Sequence, residues 1–223
     1  MKEILLNVTS KSYLRRVCKF TDDVCLRQHG VRTVRYKFTL FRTAKLYRKM
    51  VIIRNPFDRL VSAYNDKFLQ RTDHNLNASL AKWLRQHRRY SSLTHFQQFV
   101  KAVLSDFRAE HWNPYALKCH FNAIKYDDVI RMETFRHDIE PFLTNYLGVD
   151  WKNVVELTAN ARRSQNSAIT SRYLPIFKQI SRQDRLALKE MYRDDLQLLG
   201  YDFDVDTLMT SCRFETVDGH VCC

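Results

Sequence analysis

KMVIIRNPFDRLVSAYNDKF, residues 49–68, is the stretch on which the reading of this chain turns. Met50 to Ile53 is a short apolar, β-rich run that reads as a buried strand. Asn55-Pro56 breaks it. Pro56 suits the first position of a helix, Asn55 suits the cap before it, and Asp58 adds a negative charge to the first turn. Phe57, Leu60, Val61, Tyr64 and Phe68 then recur at helical spacing, which leaves Arg59, Ser62 and Asp66 on the other face. The stretch predicts strand, tight turn and helix, with Arg54 ending the strand and Ser62 about two turns into the helix.

Such a unit suits an anion. A helix amino terminus presents N–H groups and a partial positive charge, Arg54 adds a permanently charged fork of donors, and Ser62 adds a hydroxyl. The competing reading is an ordinary strand–turn–helix unit that carries a surface arginine.

The run from Arg54 to Tyr64, followed by Lys67-Phe68, closely resembles the 3′-phosphate-binding motif of the Golgi carbohydrate sulfotransferases. The branch it resembles includes the chondroitin and dermatan 4-O-sulfotransferases and the HNK-1 sulfotransferase. The resemblance implies that Arg54 and Ser62 grip the 3′-phosphate of 3′-phosphoadenosine 5′-phosphosulfate (PAPS), the sulfate donor, with Asn55 and Arg59 beside them. The acidic residue usual after the arginine is Asn55 here, which caps a helix equally well.

Two further segments carry the resemblance. Glu110-His111-Trp112-Asn113-Pro114, Cys119 and Ile124-Lys125-Tyr126-Asp127 form one, leading through Ile130 to Thr134 into a helix. Tyr192 to Leu196 with Gly200-Tyr201-Asp202 resembles the closing signature. Asn160 to Ser164 stands where the family has a basic loop near the nucleotide, which makes Arg163 a further donor contact. The implied fold is α/β, a P-loop-like sulfotransferase fold with a central parallel sheet flanked by helices. It forms a single domain over residues 1–223. Family members open on a Lys-x-Gly-Cys-Thr-x-x-Lys loop that cradles the 5′-phosphosulfate. Met1 to Leu5 resembles the start of the helix after that loop, so the domain is expected to be incomplete at its amino end.

The acceptor hydroxyl needs a proton acceptor. His111, Glu133 and His29 are the candidates, as imidazole and carboxylate groups are the usual general bases. Each has a structural alternative: His111 hydrogen-bonded under Trp112, Glu133 paired with an arginine, His29 a plain loop histidine.

The remaining composition sets bounds. The 223 residues carry 37 Lys and Arg against 24 Asp and Glu, a formal charge of +13, which points to an anionic partner. No RNA-binding aromatic motif, zinc-finger spacing or long basic run is present, so nucleic acid is not the expected partner. A glycan acceptor, acidic or neutral, is. No apolar run approaches the roughly 20 residues of a membrane span, so membrane attachment would run through an anchor absent from this chain. The resemblance implies the luminal side of the Golgi membrane. The sequons at Asn7 and Asn77 fit that setting. The six cysteines are compatible with disulfides; Cys18, Cys25 and His29 match no zinc pattern and read as core or disulfide residues, and no metal is expected. A non-catalytic remnant that binds a polyanionic glycan or a nucleotide without turnover is the alternative to an enzyme.

Along the chain, Met1 to Phe20 is helical in pattern, and Val31 to Phe41 is a strand or loop. Arg71 to Tyr90 reads as an irregular basic surface excursion whose Arg85, Arg88 and Arg89 either line an acidic-glycan groove or form an ordinary solvated face. Thr94 and Gln97 form a capping box for an amphipathic helix. Tyr126 to Met132 is strand material, Asp138 to Leu147 is a helix with Pro141 in its first turn, and Ser181 opens the last long helix, closed by Gly200.

Overall fold

The structure is a computed structural model, and it describes residues 3–5, 32–34, 48–121, 124–148, 175–207 and 210–212. The chain divides into two compact units, 1–53 with 121–166, and 54–120 with 167–223.

In the first unit, β1 (Glu3–Leu5) pairs antiparallel with β2 (Arg32–Val34). At residues 3–5 this corrects the helix expected over Met1 to Phe20, the rest of which lies outside the described residues. Ile4 and Leu5 suit a helix face or a strand, and pairing with a segment some thirty residues away decides between them. β3 (Met50–Ile53) pairs in parallel with β4 (Asp128–Arg131), Met50 opposite Asp128 and Ile53 opposite Arg131. α5 (Phe135–Leu147) follows β4 and packs Ile139 and Leu143 on Ile130, with Met50, Phe135 and Phe142 around them. The acidic pair Asp127-Asp128 at the start of β4 clamps it to the residues before β3. Arg48 forks onto the Asp128 carboxylate at 2.6 and 2.8 Å, and Lys49 reaches Asp127 at 2.8 Å.

α5 starts three residues earlier than its sequence suggests, so Pro141 lies inside the helix rather than in its first turn. Asp138, expected to open the helix, lies in its first turn, and its carboxylate turns back to accept the Arg131 N–H at 2.8 Å and the Thr134 hydroxyl at 2.9 Å. Gly148 ends the helix at φ +60°, the left-handed conformation that glycine adopts without strain.

The second unit is mainly helical: α1 (Pro56–Tyr64), a π turn (Asn65–Leu69), α2 (His74–Gln86), a 3-10 turn (Arg88–Tyr90), α3 (His95–Leu104) and α4 (Tyr115–Lys118). Then come α6 (Arg182–Met191), α7 (Arg193–Leu199), and the antiparallel pair β5 (Tyr201–Phe203) and β6 (Thr210–Cys212). The expected excursion over 71–90 is therefore a capped helix for most of its length. Asp73 accepts the Leu76 N–H at 3.0 Å, and Leu80 is buried. The polar composition hid that sparse apolar seam. The capping box at Thr94 and Gln97 is present, and Ser181 caps α6.

This unit's core is aromatic. Phe57 stacks on Phe203 at 3.8 Å between centroids, and Tyr192 and Phe177 meet it edge-on at 5.7 and 5.8 Å. Tyr64, Phe68, Phe96, Phe99 and Trp112 form a second group further along. A fully buried ring of this kind contributes about 2–3 kcal/mol by area alone. The first turn of α1 is consequently anchored through Phe57.

Candidate functional site at the opening of α1

Asn55 is 3% exposed, and its side-chain oxygen accepts the Phe57 N–H at 3.0 Å. Its carbonyl takes the first helical bond, from the Arg59 N–H at 2.9 Å. Pro56 at the first helical position has no N–H to offer. The amino end of α1 thus presents fewer N–H groups than an ordinary helix start, because one is missing by chemistry and one is already held by the cap. The Arg54 N–H is engaged as well, donating to the Tyr115 hydroxyl at 3.1 Å. The partial positive charge of a nine-residue helix persists, but an anion here must be gripped mainly by side chains. Arg54 and Ser62 are both partly exposed. Ser62, the seventh helical residue, lies about 9 Å along the axis from Pro56, so an anion touching both side chains runs along the flank of the helix.

Arg59 is placed as a brace. Its guanidinium lies 3.9 Å over the Tyr115 ring, its Nε donates to the His111 carbonyl at 3.0 Å, and another of its nitrogens donates to the Asn113 carbonyl. Planar geometry makes one arginine able to stack and fork at once. The loop it holds is fixed from its other side too. Tyr192 donates its hydroxyl to the Trp112 carbonyl at 2.7 Å, and Asp195 accepts the N–H groups of Tyr115 and Ala116, each at 2.7 Å. Trp112 is fully buried, its indole N–H donating to the Phe107 carbonyl at 2.7 Å. The closing signature and the His111-Trp112 segment therefore form one scaffold under Arg54 and Arg59. Tyr115 is the participant that sequence reasoning missed. Its only signal was its position just after Pro114, at the start of a short helix.

Electrostatics follow from burial. Desolvation raises the Asp195 carboxyl, opposed by the two N–H groups it accepts, and raises the Tyr115 phenol, opposed by Arg59. The His111 imidazole is lowered, first by burial and then by the positive charge of Lys67. The shift favours the neutral ring, whose free nitrogen can take a proton.

Of the remaining candidates, one belongs to the other unit and two fall outside the described residues. Glu133 sits in the turn between β4 and α5, in the first unit. His29 and Arg163 fall outside the described residues, as do Asn7, Cys18 and Cys25. Cys119 is buried in the core. Asn77 is on α2, its amide donating to the carbonyls of Lys67 at 2.6 Å and Asp73 at 2.7 Å. A cavity of about 520 Å³ is lined by Phe68, His74, Leu80, Leu84 and His95, away from the opening of α1. Among the described residues no group of His, Cys, Asp and Glu is arranged to hold a metal ion, and no helix is long and apolar enough to cross a membrane.

Comparison with known proteins places these features in context. The model of the sulfotransferase family matches residues 5–202. Carbohydrate sulfotransferase 11 of Rattus norvegicus is 27% identical over 172 residues, covering 70% of this chain and 47% of the relative. Carbohydrate sulfotransferase 10 of the same species is 25% identical over 181 residues, 74% of this chain and 50% of the relative. Carbohydrate sulfotransferase 8 of Homo sapiens is 29% identical over 168 residues, 70% and 39% respectively. The chain spans about half the length or less of these curated relatives. No solved structure matches it.

Proposed function

The chain belongs to the sulfotransferase family, and from that premise we propose that it transfers a sulfuryl group from PAPS to a glycan hydroxyl, with chondroitin- or dermatan-like chains as acceptors. The observation that carries the reading is the built opening of α1: a capped helix start with Arg54 and Ser62 half-exposed, its register held by Phe57 and by the braced loop 111–116.

The residues fit the donor's 3′-phosphate. Arg54 supplies a charged fork, Ser62 a hydroxyl, and the helix its dipole. Arg59 acts through the loop it holds rather than on the phosphate. The donor, when bound, supplies an activated sulfuryl group. The protein's task is to hold acceptor oxygen, sulfur and leaving oxygen in line and to take the acceptor's proton. His111 is the proposed proton acceptor, because its surroundings favour the neutral imidazole and it lies in the same compact unit as Arg54. A P-loop-like sheet that includes β3 and β4, and work in the Golgi lumen, belong to the same proposal and rest on the sequence resemblance.

Adenosine 3′,5′-bisphosphate tests it. Calorimetry with the 223-residue chain should show binding that Arg54→Ala abolishes and Ser62→Ala weakens. Equal binding by the Arg54 variant overturns the assignment. Sulfate incorporation into chondroitin that is lost in His111→Ala but unchanged in bisphosphate affinity supports the base; undiminished incorporation removes His111 from that role.

A further inference from the structure

From His74 to Lys101 the chain contains no Asp or Glu, while it carries Lys82, Arg85, Arg88, Arg89 and Lys101. Lys101 is neutralised by Asp184 at 2.6 Å. The other four are exposed, and among the described residues none of them forms an ion pair. The flanking acid Asp73 is held by the backbone N–H of Leu76 as the cap of α2. A protein surface ordinarily intersperses both signs. Four uncompensated cations within eight residues are the exception here.

Aromatic rings lie among these cations. Trp83 stacks on His87 at 4.1 Å and 13°, and Tyr90 lies 5.6 Å from Trp83 at an interplanar angle of 3°. All three rings lie within about 14° of parallel. The geometry follows from local structure: Trp83 and His87 are one turn apart at the end of α2, and Tyr90 closes the 3-10 turn. Arg89 sits over the Tyr90 ring at 4.8 Å. The Gln98 amide, on α3, donates to the carbonyls of Tyr90, Ser91 and Leu93 at 3.2, 3.4 and 3.1 Å. The rings are therefore held in place before any ligand arrives, which lowers the ordering cost of binding.

We propose that residues 82–90 form a docking surface for an acidic glycan chain, in which Lys82, Arg85, Arg88 and Arg89 take its carboxylates and sulfates and the Trp83–Tyr90 rings lie against the C–H faces of its sugars. The choice of a glycan rests on the transferase reading above. Single-stranded nucleic acid also stacks on aromatic faces beside cations, and is the outcome that the test separates from a glycan. The surface would hold the polymer on the enzyme between transfers, and would raise acceptor affinity through charge that salt screens.

The test uses chondroitin sulfate chains of defined length, with adenosine 3′,5′-bisphosphate and an oligothymidylate of equal charge as controls. The triple variant Arg85→Ala, Arg88→Ala, Arg89→Ala alters exposed residues alone. It should bind the glycan about tenfold or more weakly, with a flatter salt dependence and unchanged bisphosphate affinity. Trp83→Leu should weaken glycan binding while leaving the salt dependence intact; its thermal midpoint reports whether the fold survives. Unchanged glycan affinity in the triple variant overturns the proposal. Oligothymidylate binding tighter than the glycan, lost in the same variant, overturns it in favour of nucleic acid. Arg54→Ala should leave glycan binding alone, so failure of the bisphosphate site and failure of this surface read out separately.

Discussion

The Asp195 carboxylate accepts the backbone N–H groups of Tyr115 and Ala116, residues about eighty positions earlier in the chain, each at 2.7 Å. The carboxylate is 1% exposed. It closes the amino end of α4, and the Tyr115 hydroxyl in turn receives the Arg54 N–H. A residue of the closing segment thereby fixes the tyrosine that holds the Arg54 backbone N–H, at the proposed anion site.

Asp195→Ala leaves two buried N–H groups without their acceptor, and is expected to cost about 2–4 kcal/mol. Asp195→Asn should cost less, because one amide oxygen can still accept while its NH2 group faces a donor. Urea denaturation midpoints check both. Bisphosphate affinity should also fall in Asp195→Asn, although nothing in contact with the nucleotide has changed.

Tyr115→Phe isolates the hydroxyl. The ring under Arg59 remains, and only the acceptor for the Arg54 N–H goes. The expected loss is about 1 kcal/mol of stability, with a larger proportional loss in bisphosphate binding than an exposed substitution causes. Equal retention of both quantities would show that Arg54 is set by other contacts.

Arg59→Lys keeps the charge and removes the fork and the stack on Tyr115. If Arg59 braces the 111–116 loop, the lysine variant should lose about 1–3 kcal/mol. A lysine that restores both stability and affinity would instead make Arg59 a point-charge ligand. Thermal denaturation with and without bisphosphate separates the two.

The imidazoles of His95 and His111 both titrate below the ordinary histidine value, chiefly through burial, with Arg71 assisting at His95 and Lys67 at His111. The unfolded chain binds those protons more readily than the folded one, so stability rises with pH across this range. It should be fully present above about pH 6.5 and decline as pH falls through the folded-state values. Urea midpoints between pH 5 and 7.5 should show this slope, and His95→Gln should flatten it while also losing the 3.0 Å contact to the Tyr64 hydroxyl.

Much of the candidate site was legible before any coordinates. Asn55 and Pro56 announce a helix start because capping and a missing N–H act within three residues of chain. Thr94 with Gln97, Ser181, Gly148 and Gly200 mark their helix ends for the same reason. Where local signals conflicted, the reading slipped. The helix expected from Asp138 begins at Phe135, with the Asp138 carboxylate serving the preceding turn, and α2 was masked by a basic surface over a narrow apolar seam.

The amino-acid order alone settled where α1 begins and which side chains line its opening, since those follow from backbone hydrogen bonding and side-chain size over a few residues. Tertiary structure alone decided that Arg59 stacks on Tyr115, that Asp195 holds the loop beside it, and that the opening residues form a strand with residues 32–34. Those outcomes join positions tens of residues apart, and only the packing of the whole core brings such groups within hydrogen-bonding reach.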